Sequence, residues 1–448
     1  MLGPLKSLNL EIPQRFSSSV ALTLASRVFM AANSVASGVI VARVLGAEGL
    51  GALAVLNVAV ITTVQIASLG VPTANTYFTA QNRKMAAPAA VNSALFALVS
   101  GGGFAICLWL LAVWQPGWLA NLPDRLVAIA VVAVPFQLAT LIALNFFLAL
   151  GRVRQFNALD LFGQSFVIIN AVVVLLILQR GLWTLVTMNA AAVVGVSLII
   201  CSLLYRFIAR EPGETRGRWR PDFSALRKTL GYALKGHIQW VSTLLVWRVD
   251  LLIVTHWSGA AEAGVYSVAT QVTLFLLLVP GVVSQILLAR VVYEKDTAAR
   301  LTCQASRHTA LIMFAACLAS VPLSYGLPLL YGDAFADVPF LVWLLLPGVF
   351  FMSLQAVLVQ YFVGTGLPKI IPAMWVATLI LNVSLNIVFV PRYAARGAAL
   401  VSTVCYTLIF VAVFVYFRRR TGHRLSDILI CDRTEIRQLL AFRPFQKY

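Results

Sequence analysis

Apolar stretches of about 20 residues recur along the whole chain, and they constrain its fold more than any other feature. A helix of that length spans the hydrocarbon core of a bilayer and satisfies its own backbone hydrogen bonds there. Of the 448 residues, 60% are hydrophobic and 11% are charged, whereas about 25% are charged in a typical soluble domain. We count about twelve stretches, at residues 18–42, 50–72, 88–114, 126–150, 158–179, 182–205, 230–257, 262–289, 308–330, 339–363, 369–390 and 395–417. The sequence therefore predicts an all-α polytopic membrane protein with about twelve transmembrane helices.

Basic residues are distributed unevenly between the two sides of the predicted spans. Most of the 34 lysines and arginines lie in connections on the side of the N-terminus, and the segment after residue 417 shares that side. The connections on the other side hold Arg43, Arg125, Arg180, Arg392 and Arg396. Because cytoplasmic loops are enriched in Lys and Arg, both termini are predicted to be cytoplasmic. The net charge of +18 thus reflects topology, with binding of anionic lipid headgroups as an alternative, and we expect no nucleic-acid partner.

Glycine, proline and asparagine residues repeat at an interval of 212–216 residues. The matched pairs are Gly46 with Gly259, Gly51 with Gly264, Pro135 with Pro347, Gly151 with Gly364, and Asn170 with Asn386. This repeat predicts two six-helix lobes, related by a pseudo-twofold axis along the membrane normal, around a central cavity. We predict an N-terminal lobe at 1–205, a cytoplasmic linker at 206–229, a C-terminal lobe at 230–417 and a basic cytoplasmic tail at 418–448.

Two charged residues lie in the middle of the seventh predicted span, in the segment LLVWRVDLLIVTHW. Each charge near the centre of a bilayer costs about 2.5–3.5 kcal/mol, so Arg248 and Asp250 need a polar environment. At about 100° per residue, one polar stripe contains Lys235, Gln239, Ser242 and Asp250, and a second line contains His237 and Arg248. Arg248 and Asp250 point about 200° apart, and we do not expect them to pair with each other.

The first predicted span has a narrower polar stripe, which contains Thr23, Arg27, Ser34 and Ser37. Arg27, Lys235 and Arg248 are the three basic residues that we place inside spans, and Asp160 near the start of the fifth span joins Asp250 as an acidic one. Two interpretations remain open. The charged groups line an aqueous cavity, or they form structural ion pairs, with Lys235 extending to the cytoplasmic interface.

Three segments resemble a known family. They are ARVLGAEGLGALAV at Ala42–Val55, WRVDLLIVTHWSGAAEAGVYSVAT at Trp247–Thr270 and NIVFVPRYAARGAALVST at Asn386–Thr403. In order and spacing they are similar to the polysaccharide transporter family, which includes the O-antigen flippases and belongs to the superfamily of lipid II flippases and multidrug and toxic-compound extrusion proteins. The resemblance implies a multi-pass protein of the bacterial inner membrane that alternates between inward-open and outward-open states. It also implies a cargo: an oligosaccharide on a polyprenyl diphosphate, an O-antigen or exopolysaccharide repeat unit, carried from the cytoplasmic to the outer leaflet.

The implied diphosphate headgroup suggests roles for the polar residues inside spans. A diphosphate carries about two negative charges and needs cations wherever it leaves water. The predicted headgroup ligands are Arg27, Arg248 and Lys235, because arginine contacts phosphate oxygens bidentately and lysine supplies a compact charge. Charge balance or ion coupling is predicted for Asp250, Asp160 and His237. The candidate sugar contacts are Asn33, Gln65, Gln239 and Gln271, with hydrogen bonding between helices as the alternative for each.

The sequence supports other function classes less well than it supports a flippase. The sequence has neither a GxxxxGK[ST] motif nor a His/Cys cluster with metal-ligand spacing, so we expect no cofactor, no metal and no enzymatic activity. A multidrug and toxic-compound extrusion-type exporter is the main alternative, although its usual cargo is cationic. A membrane polysaccharide polymerase or ligase is a second alternative, but such enzymes tend to carry a large extracytoplasmic loop. The expected partners are the lipid-linked glycan, membrane lipids and other polysaccharide assembly proteins.

Overall fold

The computed structural model describes residues 12–210 and 219–431, with side chains described throughout except at residues 12–22, Lys235 and Lys295. Every regular element in these ranges is helical, which confirms the predicted all-α class. The helices of the first half are α1 (Ile12–Ala67), α2 (Val71–Gln81), α3 (Ala86–Trp114), α4 (Asp124–Ala149), α5 (Val153–Ala171) and α6 (Leu182–Ala209). Those of the second half are α7 (Phe223–Leu276), α8 (Leu278–Tyr293), α9 (Ala298–Ser324), α10 (Leu327–Tyr331), α11 (Val338–Thr365), α12 (Ile370–Thr421) and α13 (Ser426–Leu429).

Three of these helices are too long to cross a membrane once. Helices α1, α7 and α12 contain 56, 54 and 52 residues, and at 1.5 Å per residue each would extend about 80 Å, more than twice the hydrocarbon thickness. Each is interrupted by one residue with a non-helical backbone: Gly46 (φ 72°), Gly259 (φ 85°) and Ala394 (φ 49°). Each long helix is therefore a pair of helices joined by a sharp corner.

The helix breaks account for the number of membrane crossings. The described residues form nine helical segments that are long and apolar enough to cross a membrane, and three of them contain one of these breaks. Dividing those three at the breaks yields twelve segments, the number that the sequence predicts. The protein is therefore a multi-pass membrane protein.

The internal repeat also appears in the backbone conformation. Gly46 and Gly259, which occupy equivalent positions in the two copies, both have positive φ and both interrupt a long helix. Glycine adopts this left-handed conformation at little cost because it lacks a Cβ. Gly151 (φ 73°) follows α4, and two residues with positive φ follow α11, Gly366 (φ 117°) and Leu367 (φ 44°). Gly364, the partner that the sequence suggests for Gly151, lies inside α11 instead.

The chain forms two compact units. Unit 1 comprises Met1–Leu45, Leu56–Pro116 and Asn121–His237, and unit 2 comprises Gly46–Val55, Gly117–Ala120 and Ile238–Tyr448. The boundary after His237 falls within α7, so this helix contributes to both units. The predicted lobe and linker boundaries at residues 205 and 230 stay a prediction.

The beginning of α7 is fixed to other helices of unit 1. Asn92 of α3 donates a hydrogen bond to the backbone O of Asp222 (2.7 Å) and accepts one from its backbone N–H (3.0 Å). The Asp222 carboxylate caps the helix by accepting from the backbone N–H of Ala225 (2.9 Å). A Cβ at Gly70, before α2, would lie 2.8 Å from the backbone O of Ala233. The first turns of α7 therefore pack closely on the rest of unit 1.

A close crossing of two helix segments in unit 2 involves repeat-related glycines. A Cβ at Gly51 would overlap the backbone O of Ala260 and lie 2.8 Å from the backbone N of Gly264. A Cβ at Gly264 would in turn overlap the backbone O of Ala47 and lie 3.1 Å from the backbone N of Gly51. The segments that follow the breaks at Gly46 and Gly259 thus cross with their backbones in contact, which a side chain at either glycine would prevent.

Candidate functional site

In unit 1, the polar stripe of the first span faces helix α5. Four contacts connect the two helices: Asn157 Nδ2 to Thr23 Oγ1 (3.0 Å), Arg27 Nη2 to Asp160 Oδ2 (4.0 Å), Asn33 Nδ2 to the backbone O of Gln164 (2.8 Å), and Ser37 Oγ to the backbone O of Val167 (3.5 Å). Residue numbers rise together on both helices, so α1 and α5 run parallel here. On α5 the steps of three, four and three residues place all four contacts on one helix face.

The ion pair between Arg27 and Asp160 is long and partly exposed. Half of the Arg27 side chain is accessible, against 17% of the Asp160 side chain, and the closest N–O distance is 4.0 Å. Exposed ion pairs contribute about 0–1 kcal/mol to stability. The guanidinium group of Arg27 is therefore near a counter-charge and can still bind a second anion, because arginine has five N–H donors.

Asp250 is fully buried in unit 2 and is held by three hydrogen-bond donors. The hydroxyl of Tyr266 donates to its Oδ2 (2.5 Å), the hydroxyl of Ser402 donates to the same oxygen (3.0 Å), and the backbone N–H of Leu251 donates to Oδ1 (2.8 Å). Tyr266 lies in α7 beyond the break at Gly259, and Ser402 lies in α12 beyond the break at Ala394. Three helical segments thus meet at this carboxylate, whose burial would be unfavourable without such donors.

Arg248 lies two residues before Asp250 and is half-buried. Within the described ranges its guanidinium group makes no hydrogen bond and no ion pair, with Asp250 or with any other residue. This agrees with the separation of about 200° between the two side chains on a helix. The charge of Asp250 still acts on Arg248, although the two groups are not in direct contact. A cation in a membrane span that makes no direct hydrogen bond is a candidate for ligand binding, because a charge there is costly unless it is well compensated.

Two further predicted residues lie in the part of α7 that belongs to unit 1. His237 is buried, and its Nε2 is 3.3 Å from the backbone O of Ile66, to which a protonated Nε2 donates. The backbone of Lys235 is helical, but its side chain lies outside the described residues. The structure thus connects His237 to α1, and the role of Lys235 stays a prediction.

Comparison with known proteins places these features in a family. A family model described as polysaccharide biosynthesis protein matches residues 40–338, which is more than half of the chain. The chain belongs to this polysaccharide biosynthesis protein family. The family match confirms the resemblance found in the sequence. No curated protein matches the sequence.

Solved structures share the fold of this polysaccharide biosynthesis protein. Lipid II flippase MurJ in an inward closed conformation superposes with a TM-score of 0.74 at 12% identity, covering 96% of this chain and 94% of that chain. A multidrug resistance MATE family transporter of the MOP superfamily, in an inward-facing conformation, superposes with a TM-score of 0.69 at 15% identity, covering 90% of this chain and 98% of that one. At such identities the likeness concerns the fold alone.

The amides predicted to contact sugar differ in their surroundings in this family member. Asn33 is buried, and its amide donates to the backbone of α5. Gln65, Gln239 and Gln271 are half-buried in α1 and α7. The contact of Asn33 is the hydrogen bond between helices that the sequence left as an alternative, and sugar binding by any of the four amides stays a prediction.

Sequence reasoning assigns no role in the site to several polar residues of these helices. Tyr266 and Ser402 donate to Asp250, and Asn157 contacts the polar stripe of α1. Asn382 and Asn386 are completely buried in α12, and Asn386 Nδ2 donates to Asn382 Oδ1 (3.2 Å). An asparagine pair four residues apart in an apolar span is a signal that could have identified the last two. The others cannot be found without the packing.

Proposed function

We propose that this protein is a flippase that carries a polyprenyl-diphosphate-linked oligosaccharide, an O-antigen or exopolysaccharide repeat unit, from the cytoplasmic to the outer leaflet of the bacterial inner membrane. Family membership and the fold shared with a lipid II flippase support this function. The observation that carries it is Arg248, a cation within a span that makes no direct hydrogen bond or ion pair among the described residues. An anionic headgroup would supply the hydrogen-bond acceptors that this guanidinium group lacks.

The cations are proposed to neutralise the diphosphate during translocation. Arg248 and Arg27 each offer a planar fork of N–H donors to phosphate oxygens, and Lys235 offers a point charge. Arg27 is half-exposed and only weakly paired, so an anion can bind it without first breaking a strong ion pair. A diphosphate could not enter the membrane unpaired, because burying an uncompensated charge costs several kcal/mol or more.

The acidic residues are proposed to have two different roles. Asp160 balances the charge of Arg27, the only cation within 4.0 Å of it among the described residues. Asp250 is the candidate for ion coupling, because it is a buried carboxylate whose direct hydrogen-bond donors are two hydroxyl groups and a backbone N–H. A proton or a monovalent cation that enters this site would change its charge and its hydrogen bonds. His237, buried against Ile66, is a second titratable group for the same role.

Transport is proposed to occur by alternating access, with both termini in the cytoplasm. The excess of Lys and Arg in the connections on the N-terminal side supports this orientation. It places the crossing of Gly51 and Gly264 toward the outer leaflet. Outward movement of about two negative charges is favoured by about 2.3 kcal/mol per charge at an inside-negative potential of 100 mV, so the potential can drive the cycle.

Flipping of a lipid-linked glycan in proteoliposomes tests this function. Arg27→Ala and Arg248→Ala are expected to abolish flipping while the level of protein in the membrane stays near normal. Arg180→Ala is the matched control, because Arg180 is exposed in the connection before α6. Full-rate transport by both variants would show that the headgroup assignment is wrong.

A complementation screen identifies the glycan. The gene is expressed in strains that each lack one flippase for a lipid-linked glycan, and the rescued strain indicates the cargo. Rescue of no strain, together with increased resistance to cationic drugs, would favour a multidrug and toxic-compound extrusion-type exporter instead.

A further inference from the structure

Two tyrosines stack on each other in unit 1, where α2 meets the beginning of α7. The rings of Tyr77 and Tyr232 are 4.8 Å apart between centroids and nearly parallel, with 9° between their planes. Phe78 contacts Tyr232 edge-on, with a centroid distance of 5.7 Å and an interplanar angle of 67°. Parallel and edge-on contacts of this kind are favourable and hold the rings in a defined orientation. The three rings therefore form a preorganised aromatic cluster.

This cluster is accessible. Tyr77 is 42% exposed and Tyr232 is 43% exposed, and neither phenol group donates to another described residue. Gly231 and Gly236, on either side of Tyr232, have no atom within 4 Å of the position that a Cβ would occupy. The helix surface is therefore uncrowded at the two positions that flank Tyr232.

The position of Tyr232 in α7 relates the cluster to the proposed headgroup ligands. Lys235 is three residues further along the helix, and residues at this spacing lie on one helix face about 5–6 Å apart. A polar helix face within a membrane protein meets water or the bundle interior rather than lipid. The aromatic cluster thus lies one helical turn from a predicted ligand of the diphosphate. In a lipid-linked glycan, the first sugar is bonded directly to that diphosphate.

We propose that the stacked pair of Tyr77 and Tyr232 forms a platform, with the first sugar ring of the lipid-linked glycan stacking on an outer face of the pair, the face of either ring that does not contact the other. One face of a pyranose ring presents C–H groups with partial positive charge, and the face of an aromatic ring is negative. The phenol hydroxyl groups, which have no described partner, can hydrogen-bond to the sugar hydroxyls. This platform rests on the proposed flippase function and adds recognition of the glycan to recognition of the diphosphate.

Binding of two lipids to the purified full-length protein in nanodiscs tests the platform. The probes are undecaprenyl diphosphate and undecaprenyl-diphosphate-linked N-acetylglucosamine, which differ by one sugar. Tyr77→Leu and Tyr232→Leu are expected to weaken binding of the sugar-bearing lipid by about three- to tenfold, the loss of one aromatic contact, and to leave binding of the sugar-free lipid unchanged. Tyr232→Phe keeps the ring and should bind the sugar-bearing lipid more tightly than Tyr232→Leu. Tyr293→Leu, at an 88% exposed tyrosine of unit 2, is the matched control.

The outcomes separate the platform from the flippase function. Unchanged affinity of both leucine variants for the sugar-bearing lipid would overturn the platform while leaving the function intact. Equal weakening of both lipids would also overturn it, because the rings would then support the headgroup site or the fold rather than the sugar. If the wild-type protein binds neither lipid, the flippase function fails, and the platform fails with it.

Discussion

Gly51→Ala is expected to destabilise the protein, because the helix segments beyond Gly46 and Gly259 leave no room for a side chain where they cross. A Cβ at residue 51 would lie 2.7 Å from the carbonyl carbon of Ala260, whereas ordinary van der Waals contacts begin at 3.4 Å. The carbonyl oxygen of Ala260 lies closer still, so the segments must separate by more than about 1 Å, and overpacking of this kind costs about 1–3 kcal/mol. Rotation of a side chain cannot relieve the overlap, because the atoms in the way belong to the backbone.

Thermal unfolding of the purified protein measures this effect, with Gly195→Ala as the control. A Cβ at Gly195 would meet no atom within 4 Å, so this variant should gain helix propensity of about 1 kcal/mol and keep or raise the unfolding midpoint. Gly51→Ala should lower the midpoint by a few degrees. The double variant with Gly264→Ala should lose less than the sum of the single losses, because the first methyl group already separates the backbones. A wild-type midpoint for Gly51→Ala, or additive losses in the double variant, would refute the close crossing.

Three further predictions concern acidic residues. Tyr266→Phe removes a hydrogen-bond donor to the buried carboxylate of Asp250 and should lower the free energy of unfolding by about 1–3 kcal/mol. Thermal unfolding measures this loss, and an unchanged midpoint would contradict the short hydrogen bond. Asp160→Asn should change the free energy of unfolding by less than about 1 kcal/mol, because its partner Arg27 is half-exposed. It should also tighten binding of undecaprenyl diphosphate, since Asp160 would no longer compete with the diphosphate for Arg27. Weaker binding would argue against this competition. Outside the spans, the backbone N–H of Arg424 holds the pKa of Asp427 below its usual range. The stabilisation of that turn is therefore complete above a pH of about 4 and is lost as the pH falls through the lower folded pKa. Hydrogen exchange of Ser426–Leu429, corrected for intrinsic rates, should show opening only in acid, and opening above a pH of about 5 would disprove the assignment.

The predicted membrane spans agree with the structure because their signal is local. Each span needs about 20 apolar residues in one stretch, and a helix satisfies its backbone without help from distant residues. The breaks at Gly46 and Gly259 fall in the gaps between predicted spans, and both positions carry the residue that tolerates positive φ. Ala394 also falls in a gap, between the predicted spans 369–390 and 395–417 and three residues after Pro391, but it is not a residue that favours positive φ.

Candidate site residues could be selected from the sequence, but their partners could not. A charge in an apolar stretch is conspicuous, and Arg27, Asp160, Arg248 and Asp250 are all found in this way. The sequence leaves open whether the stripe that contains Arg27 lines a cavity or takes part in ion pairs. The structure shows this stripe in contact with α5, more than 130 residues away in sequence. Helical periodicity indicates which side chains share a face, and it contains no information about which helix lies opposite.

The sequence by itself determined that this chain is an all-helical membrane protein with a repeated pattern of spans and a few costly charges inside them. These properties follow from composition and from periodicity over tens of residues. Only the tertiary structure decided that Asp250 is held by Tyr266 and Ser402, that Arg27 lies beside Asp160, and that Gly51 meets Gly264. Hydroxyl groups, carboxylates and glycines occur at many positions that would satisfy the same local rules, so the choice among them depends on packing between segments that are far apart in the chain.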